Sequence, residues 1–136
     1  MEKMESSFDT TKLPAYIAIE NSGMAVVEDM LEMWKAVFAS DLWKPGTGVL
    51  IDNRKIQDTY TYEAPPHHVA DLLADRSSAL GPARIAIVMP LSANDRYMRE
   101  FEAMANARLL DVHLQYFYSD VSALNWLYSE SLPGHH

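Results

Sequence analysis

Two short runs in this chain are apolar at every position, Val49-Leu50-Ile51 and Ile85-Ala86-Ile87-Val88-Met89. A strand with one wetted face alternates apolar and polar residues. An unbroken run needs cover on both faces, which points to an interior strand of a sheet packed between helices. Turn-forming residues precede each run, Lys44-Pro45-Gly46-Thr47-Gly48 before the first and Gly81-Pro82 before the second. The two runs are therefore predicted to be adjacent interior strands.

The segments around them alternate in period. Ala15 to Glu20 reads as a strand, closed by a turn at Asn21-Ser22-Gly23. Met24 to Ser40 has helical spacing at positions 27, 30, 31, 34, 37 and 38. A helix from about His67 to Leu80 buries Val69, Leu72 and Leu73, and another runs from Ser92 to Arg108 with Tyr97, Met98, Phe101, Met104 and Ala105 on one face. On that helix Arg99, Glu102 and Asn106 lie opposite, on the polar side. Val112 to Tyr118 is a strand whose alternation with His113 and Gln115 places it nearer an edge, and Asp120 caps a last helix carrying Val121, Leu124 and Leu127. Alternating strands and helices imply an α/β domain with a mostly parallel sheet. Residues 1–13 form an N-terminal segment able to add an edge strand around Glu5 to Asp9, residues 14–132 the domain, and residues 133–136 a tail.

At 136 residues, one hydrophobic core is expected. The net charge of -8 argues against nucleic acid and anionic membrane surfaces, both of which attract basic patches. With no cysteine, disulfides, thiol catalysis and zinc-thiolate sites are excluded. No stretch approaches the ~20 apolar residues of a membrane span, and the N-terminus is unlike a signal peptide, so a cytoplasmic location is expected.

Several segments resemble bacterial STAS/SEC14-type, SpoIIAA-like proteins. Val49-Leu50-Ile51-Asp52-Asn53-Arg54 is similar to their strand end, Arg96 to Glu102 to a helix, and Phe117-Tyr118-Ser119-Asp120 through Trp126-Leu127 to their closing helix. The resemblance implies a SpoIIAA-like (STAS-like) single domain with a four- to five-stranded mostly parallel sheet and four helices. It also implies partner switching or, in lipid-transfer relatives, apolar ligand binding. Antagonists of anti-sigma factors in that family carry a phosphorylated serine in a turn that aligns with Tyr60-Thr61-Tyr62-Glu63. Thr61 keeps a hydroxyl, but the acid, the second serine and the glycine are gone, so Thr61 is a candidate phosphoacceptor not expected to act as a strong switch.

Ligands of open α/β sheets bind beyond the carboxyl ends of the strands. There the chain offers Asp52, Arg54, Thr59, Thr61 and Ser92 as candidate binding residues. The plainer reading is that Asp52 and Arg54 pair with each other and that Ser92, Asn94 and Asp120 cap helices. His67 and His68 are adjacent, a poor spacing for a shared metal on a helix, and His113 is isolated, so no metal site and no cofactor are assigned. The Lys44–Gly48 cluster follows a helix and opens a strand, the reverse of a phosphate loop. No nucleophile–base motif is present.

The expected function is a non-enzymatic binding or regulatory module acting through protein–protein interaction, its partner unnamed by the sequence. The alternative is a carrier of an apolar small molecule or lipid, suggested by eight methionines. Apolar residues sweep about half the circumference of the first helix, wider than the ~100° stripe a core needs. With Met30, Trp34 and Val27 at the centre of that arc, its flank at Val26, Met33 and Val37 is expected to reach past the sheet as an interface, with a homodimer the favoured occupant.

Overall fold

Five strands form one sheet in the order β1-β2-β3-β4-β5. They are β1 (Glu5–Asp9), β2 (Tyr16–Met24), β3 (Gly48–Gln57), β4 (Ala83–Val88) and β5 (Val112–Phe117). The helices are α1 (Val27–Ala39), α2 (Asp95–Arg108) and α3 (Asp120–Leu127), and Asp71 and residues 73–75 are also helical. The structure, a computed structural model, describes residues 5–12, 15–24, 27–39, 44, 46–57, 71, 73–75, 82–91, 95–108 and 112–128. Of the sequence assignments, Val26, Thr59, Thr61, Ser92, the His67-His68 pair and the tail lie outside these residues.

β1 pairs with β2 antiparallel, and β2, β3, β4 and β5 pair parallel in turn. Val49 faces Ile85 and Ile51 faces Ile87, so the two unbroken apolar runs are neighbouring interior strands as predicted. Val49, Ile51, Ile85, Ala86, Ile87 and Val88 are all buried. Each fully buried branched side chain contributes about 1.5–3 kcal/mol relative to leaving it in water. The extra edge strand expected at Glu5–Asp9 is present, and it ends where Asp9 Oδ1 accepts from the Thr11 amide at 2.8 Å and the Thr11 hydroxyl at 2.7 Å.

The two faces of the sheet are covered unequally. One packs against α1, Leu73 and α2 in a large core that includes Ile17, Ile19, Ile51, Ile85, Leu114, Trp34 and Phe101. The other carries a small cluster in which Ala86 and Val88 meet Ala123, flanked by Leu50, Phe117, Trp126 and Leu127. Strands laid down in sequential order with crossovers of one hand place all their connecting helices on the same side. Among the described helices, the terminal α3 is the one over the opposite face.

Four local assignments differ from the sequence expectation. The strand beginning near Ala15 does not turn at Asn21-Ser22-Gly23 but continues to Met24. Gly23 has φ 91°, a left-handed value that glycine accepts without cost, and a register irregularity lies between Glu20 and Ser22. The turn signal is thus an irregularity inside a strand held by β3. β3 in turn runs past Asp52 to Gln57.

In α1 the sheet-facing stripe is rotated from the expected centre. Met33 is 5% exposed and Val37 0%, with Trp34 buried beside them and Met30, Leu31 and Phe38 partly buried. Met33 and Val37 therefore form no free interface flank. An apolar arc of about half the helix circumference is too broad for periodicity alone to choose which stripe faces the sheet. Finally, Ser119 caps α3, its hydroxyl accepting from the Ser122 amide at 3.2 Å, while Asp120 is the first helical residue and Val121 is 63% exposed.

Lys44 and Thr47 close the expected connecting turn, the Thr47 amide donating to the Lys44 carbonyl at 3.0 Å with Gly46 at φ 93°.

Candidate functional site

α3 lies over β4 and reaches β3 and β5. On that same face Tyr16 of β2 is buried with its ring against Tyr128 at the end of α3, centroids 5.9 Å apart. The other side chains of β1 and β2 there have no helix over them among the described residues. Strand alternation and register fix which they are: Ser7 opposite Glu20 and Asp9 opposite Ala18, with Leu50 and Asp52 of β3 alongside. Together these residues line an open hollow of about 270 Å³.

At one end of the hollow the charges are tied into pairs. Glu20 is level with Asp52, which is level with Val88, the last residue of β4. Arg54, two residues on and on the same face, returns to Asp52 through Nη2–Oδ2 at 2.8 Å and Nε–Oδ1 at 3.0 Å, while its amide also donates to Oδ1 at 3.0 Å. Such a two-pronged contact fixes the guanidinium plane. Asp120, opening α3, lies 3.9 Å from the same Nη2. Lys55 Nζ meets Glu20 Oε1 at 3.0 Å. The Arg54 guanidinium holds the Asp52 carboxyl below its ordinary value, against an opposing push from partial burial. Asp52 in turn raises Arg54. The pair remains ionised through the neutral range.

Of the candidate binding residues, the structure brings Asp52 and Arg54 together, and it does so as partners of one another. That is the plainer of the two sequence readings, although the paired groups still face solvent and present fixed charges to anything that docks. Thr59, Thr61 and Ser92 are outside the described residues. His113 is exposed on β5, as a strand-face residue. Among the described residues no group of three acidic or histidine side chains is placed to hold a metal ion.

Sequence reasoning missed two polar clusters. Asn21 is 2% exposed. Its Oδ1 accepts from the Ser6 hydroxyl at 2.6 Å, and its Nδ2 donates to Asn53 Oδ1 at 2.8 Å and contacts the Met33 sulfur at 3.3 Å. A signal was present: Ile17, Ile19 and Asn21 continue one period-2 row, so a strand prolonged past Glu20 puts Asn21 on the core face. The second cluster lies at the far edge, where α2 meets β5. Asn106 and Glu102, four residues apart on one helix face, bond the outer backbone of β5 at Leu114 and Tyr116. The sequence places both on a polar side without saying what that side touches.

No family model matches the chain. No curated protein matches it either. Among solved structures it is similar to an uncharacterized protein of the DUF3478 family, with a SpoIIAA-like fold, from Shewanella loihica PV-4. The two share 18% identity over 93% of this chain and 98% of the other, with a TM-score of 0.56. At that identity the likeness bears on fold, and it agrees with the α/β architecture that the motif order implied. The chain has a SpoIIAA-like fold.

Proposed function

We propose that this chain is a non-catalytic SpoIIAA-like binding module that engages a protein partner through the uncovered sheet face over β1, β2 and β3, with the Asp52–Arg54–Asp120 cluster at its end. One observation carries the reading. Among the described residues the sheet packs the main core on one face and is covered only in part on the other, and the uncovered part sets oriented charges beside Ala18 and Leu50. Charges of both signs held at fixed positions favour a complementary surface over a wrong one and set the register of docking.

A carrier of apolar molecules draws less support. Met33, Met89 and Met98 pack into the main core, where methionine fills irregular space. The hollow of about 220 Å³ between β1 and α1 falls below the ~300–1,000 Å³ typical of small-molecule sites. None of the described helices is long and apolar enough to cross a membrane. A cytoplasmic site of action is part of the proposal.

The test is affinity capture from the native host with the wild-type chain and with an Arg54→Glu/Asp52→Lys exchange variant, which inverts the pair while retaining it. A protein captured at near-equal stoichiometry by the wild type, and lost from the folded variant, supports the reading. An identical captured set, or a co-purifying apolar molecule in native mass spectra of both, overturns it.

A further inference from the structure

We propose that β1 (Glu5–Asp9) is a docking edge for an extended segment of a partner protein in which apolar residues alternate with lysine or arginine. The inference rests on the reading of the chain as an interaction module and specifies the chemistry of what it takes.

The two edges of the sheet are finished differently. At β5, the Asn106 side chain accepts from the Leu114 amide at 2.8 Å and donates to the Leu114 carbonyl at 2.9 Å, and Glu102 Oε2 accepts from the Tyr116 amide at 2.8 Å. Side chains occupy the positions that another strand would take, and that edge is closed. At β1 no described side chain does this, and four of its five residues are exposed. An exposed strand edge is a row of backbone donors and acceptors ready to pair with an added strand.

The two faces of β1 specify alternate side chains of that strand. Phe8 faces the side of α1, because its partner Ile19 lies in the main core. It is 39% exposed and borders the hollow lined with Thr10, Ile17, Ala36 and Val37. An added strand would set apolar side chains there. On the opposite face β1 itself presents Glu5 and Asp9, beside a Glu20 that is already paired with Lys55 at 3.0 Å. Opposite charges directly across a strand pair stabilise it and like charges destabilise it. The side chains on this face are therefore expected to be basic.

A second copy of the chain fits poorly. Antiparallel pairing of β1 with itself, centred on Ser7, would set Glu5 against Asp9 twice.

The experiment uses the isotope-labelled full chain titrated with a short capped peptide of alternating valine and lysine, and with its counterpart carrying glutamate for lysine. The lysine peptide is expected to slow hydrogen exchange at β1 amides and to bind about tenfold more tightly than the glutamate peptide. A folded Glu5→Lys/Glu20→Lys variant should reverse that order. Absence of change at β1 amides with either peptide, an order unaffected by the variant, or a dimer formed through β1 in sedimentation would each overturn the proposal. Perturbation confined to surfaces away from β1 also overturns it while leaving the interaction module standing. That broader reading is tested separately by the Arg54-dependent capture.

Discussion

The side-chain amide of Asn106 makes both backbone hydrogen bonds of a neighbouring strand to Leu114, accepting from its amide at 2.8 Å and donating to its carbonyl at 2.9 Å. An edge that would otherwise expose or bury unpaired groups is completed by a helix residue. Asn106→Leu should lower stability by about 2 kcal/mol, because two backbone groups lose their partner at a packed edge. Urea unfolding should show a lower midpoint at unchanged slope. Asn106→Asp, which keeps the acceptor for the Leu114 amide, should lose less. Equal stability of wild type and the leucine variant would show that water replaces the amide freely.

Asn21 and Asn53 are expected to be coupled. Each single change to alanine strands the other amide at the β2–β3 border, where they bond at 2.8 Å. A double-mutant cycle should return an interaction energy of about 1 kcal/mol. Additive effects would mean that the two act only through their separate neighbours, Ser6 and Met33 for one and Met89 for the other.

Acid should weaken the Asp52–Arg54 pair in a defined direction. Arg54 holds the folded-state value of Asp52 below the ordinary 3.8. The unfolded chain then takes up the proton first, so the pair's contribution is whole above the unfolded value and is lost as pH falls through the folded one. The stability gap between wild type and Asp52→Asn should be level from neutral pH to about 5 and shrink below about 4. Partial exposure of both groups limits it to about 1 kcal/mol or less. A gap that widened on acidification would contradict the pairing.

Trp126 presents an unusual balance. Its ring lies tilted against Phe117, centroids 5.6 Å apart, and under the Arg84 guanidinium, which also bonds the Trp126 carbonyl. Its indole N–H is buried without a partner among the described residues. A buried unpaired donor costs about 1–3 kcal/mol. Trp126→Phe, keeping most of the ring and removing that donor, should be close to neutral in thermal unfolding, whereas Trp126→Ala should cost about 3 kcal/mol through lost packing. A phenylalanine variant as damaged as the alanine one would show that the N–H is satisfied in solution.

Met33→Glu tests the corrected role of α1. With Met33 in the core, a carboxylate there must be buried unpaired or force the site open, which costs several kcal/mol. The expected outcome is loss of the cooperative unfolding transition. A folded variant that differs from wild type only in sedimentation would restore Met33 to an interface.

The sequence alone determined the centre of the sheet. Val49–Ile51 and Ile85–Met89 were legible as interior strands, because an unbroken apolar run between turn residues calls for cover on both faces, although Leu50 is only partly buried beside the open hollow. The helix over Met98, Phe101 and Ala105 was legible from spacing, whereas Glu5–Asp9 was legible only as a segment able to add a strand. Asp52 and Arg54 could be found by position, and their mutual pairing was one of two readings. Tertiary structure decided the rest. Which stripe of α1 faces the sheet, whether Asn21 ends a strand or lies inside one, and whether Asn106 and Glu102 meet water or the backbone of β5 all depend on neighbours distant in sequence. Periodicity records the two environments around an element, buried and wet. A hydrogen-bond partner on another element enters that pattern only as a polar residue, indistinguishable there from one that faces solvent.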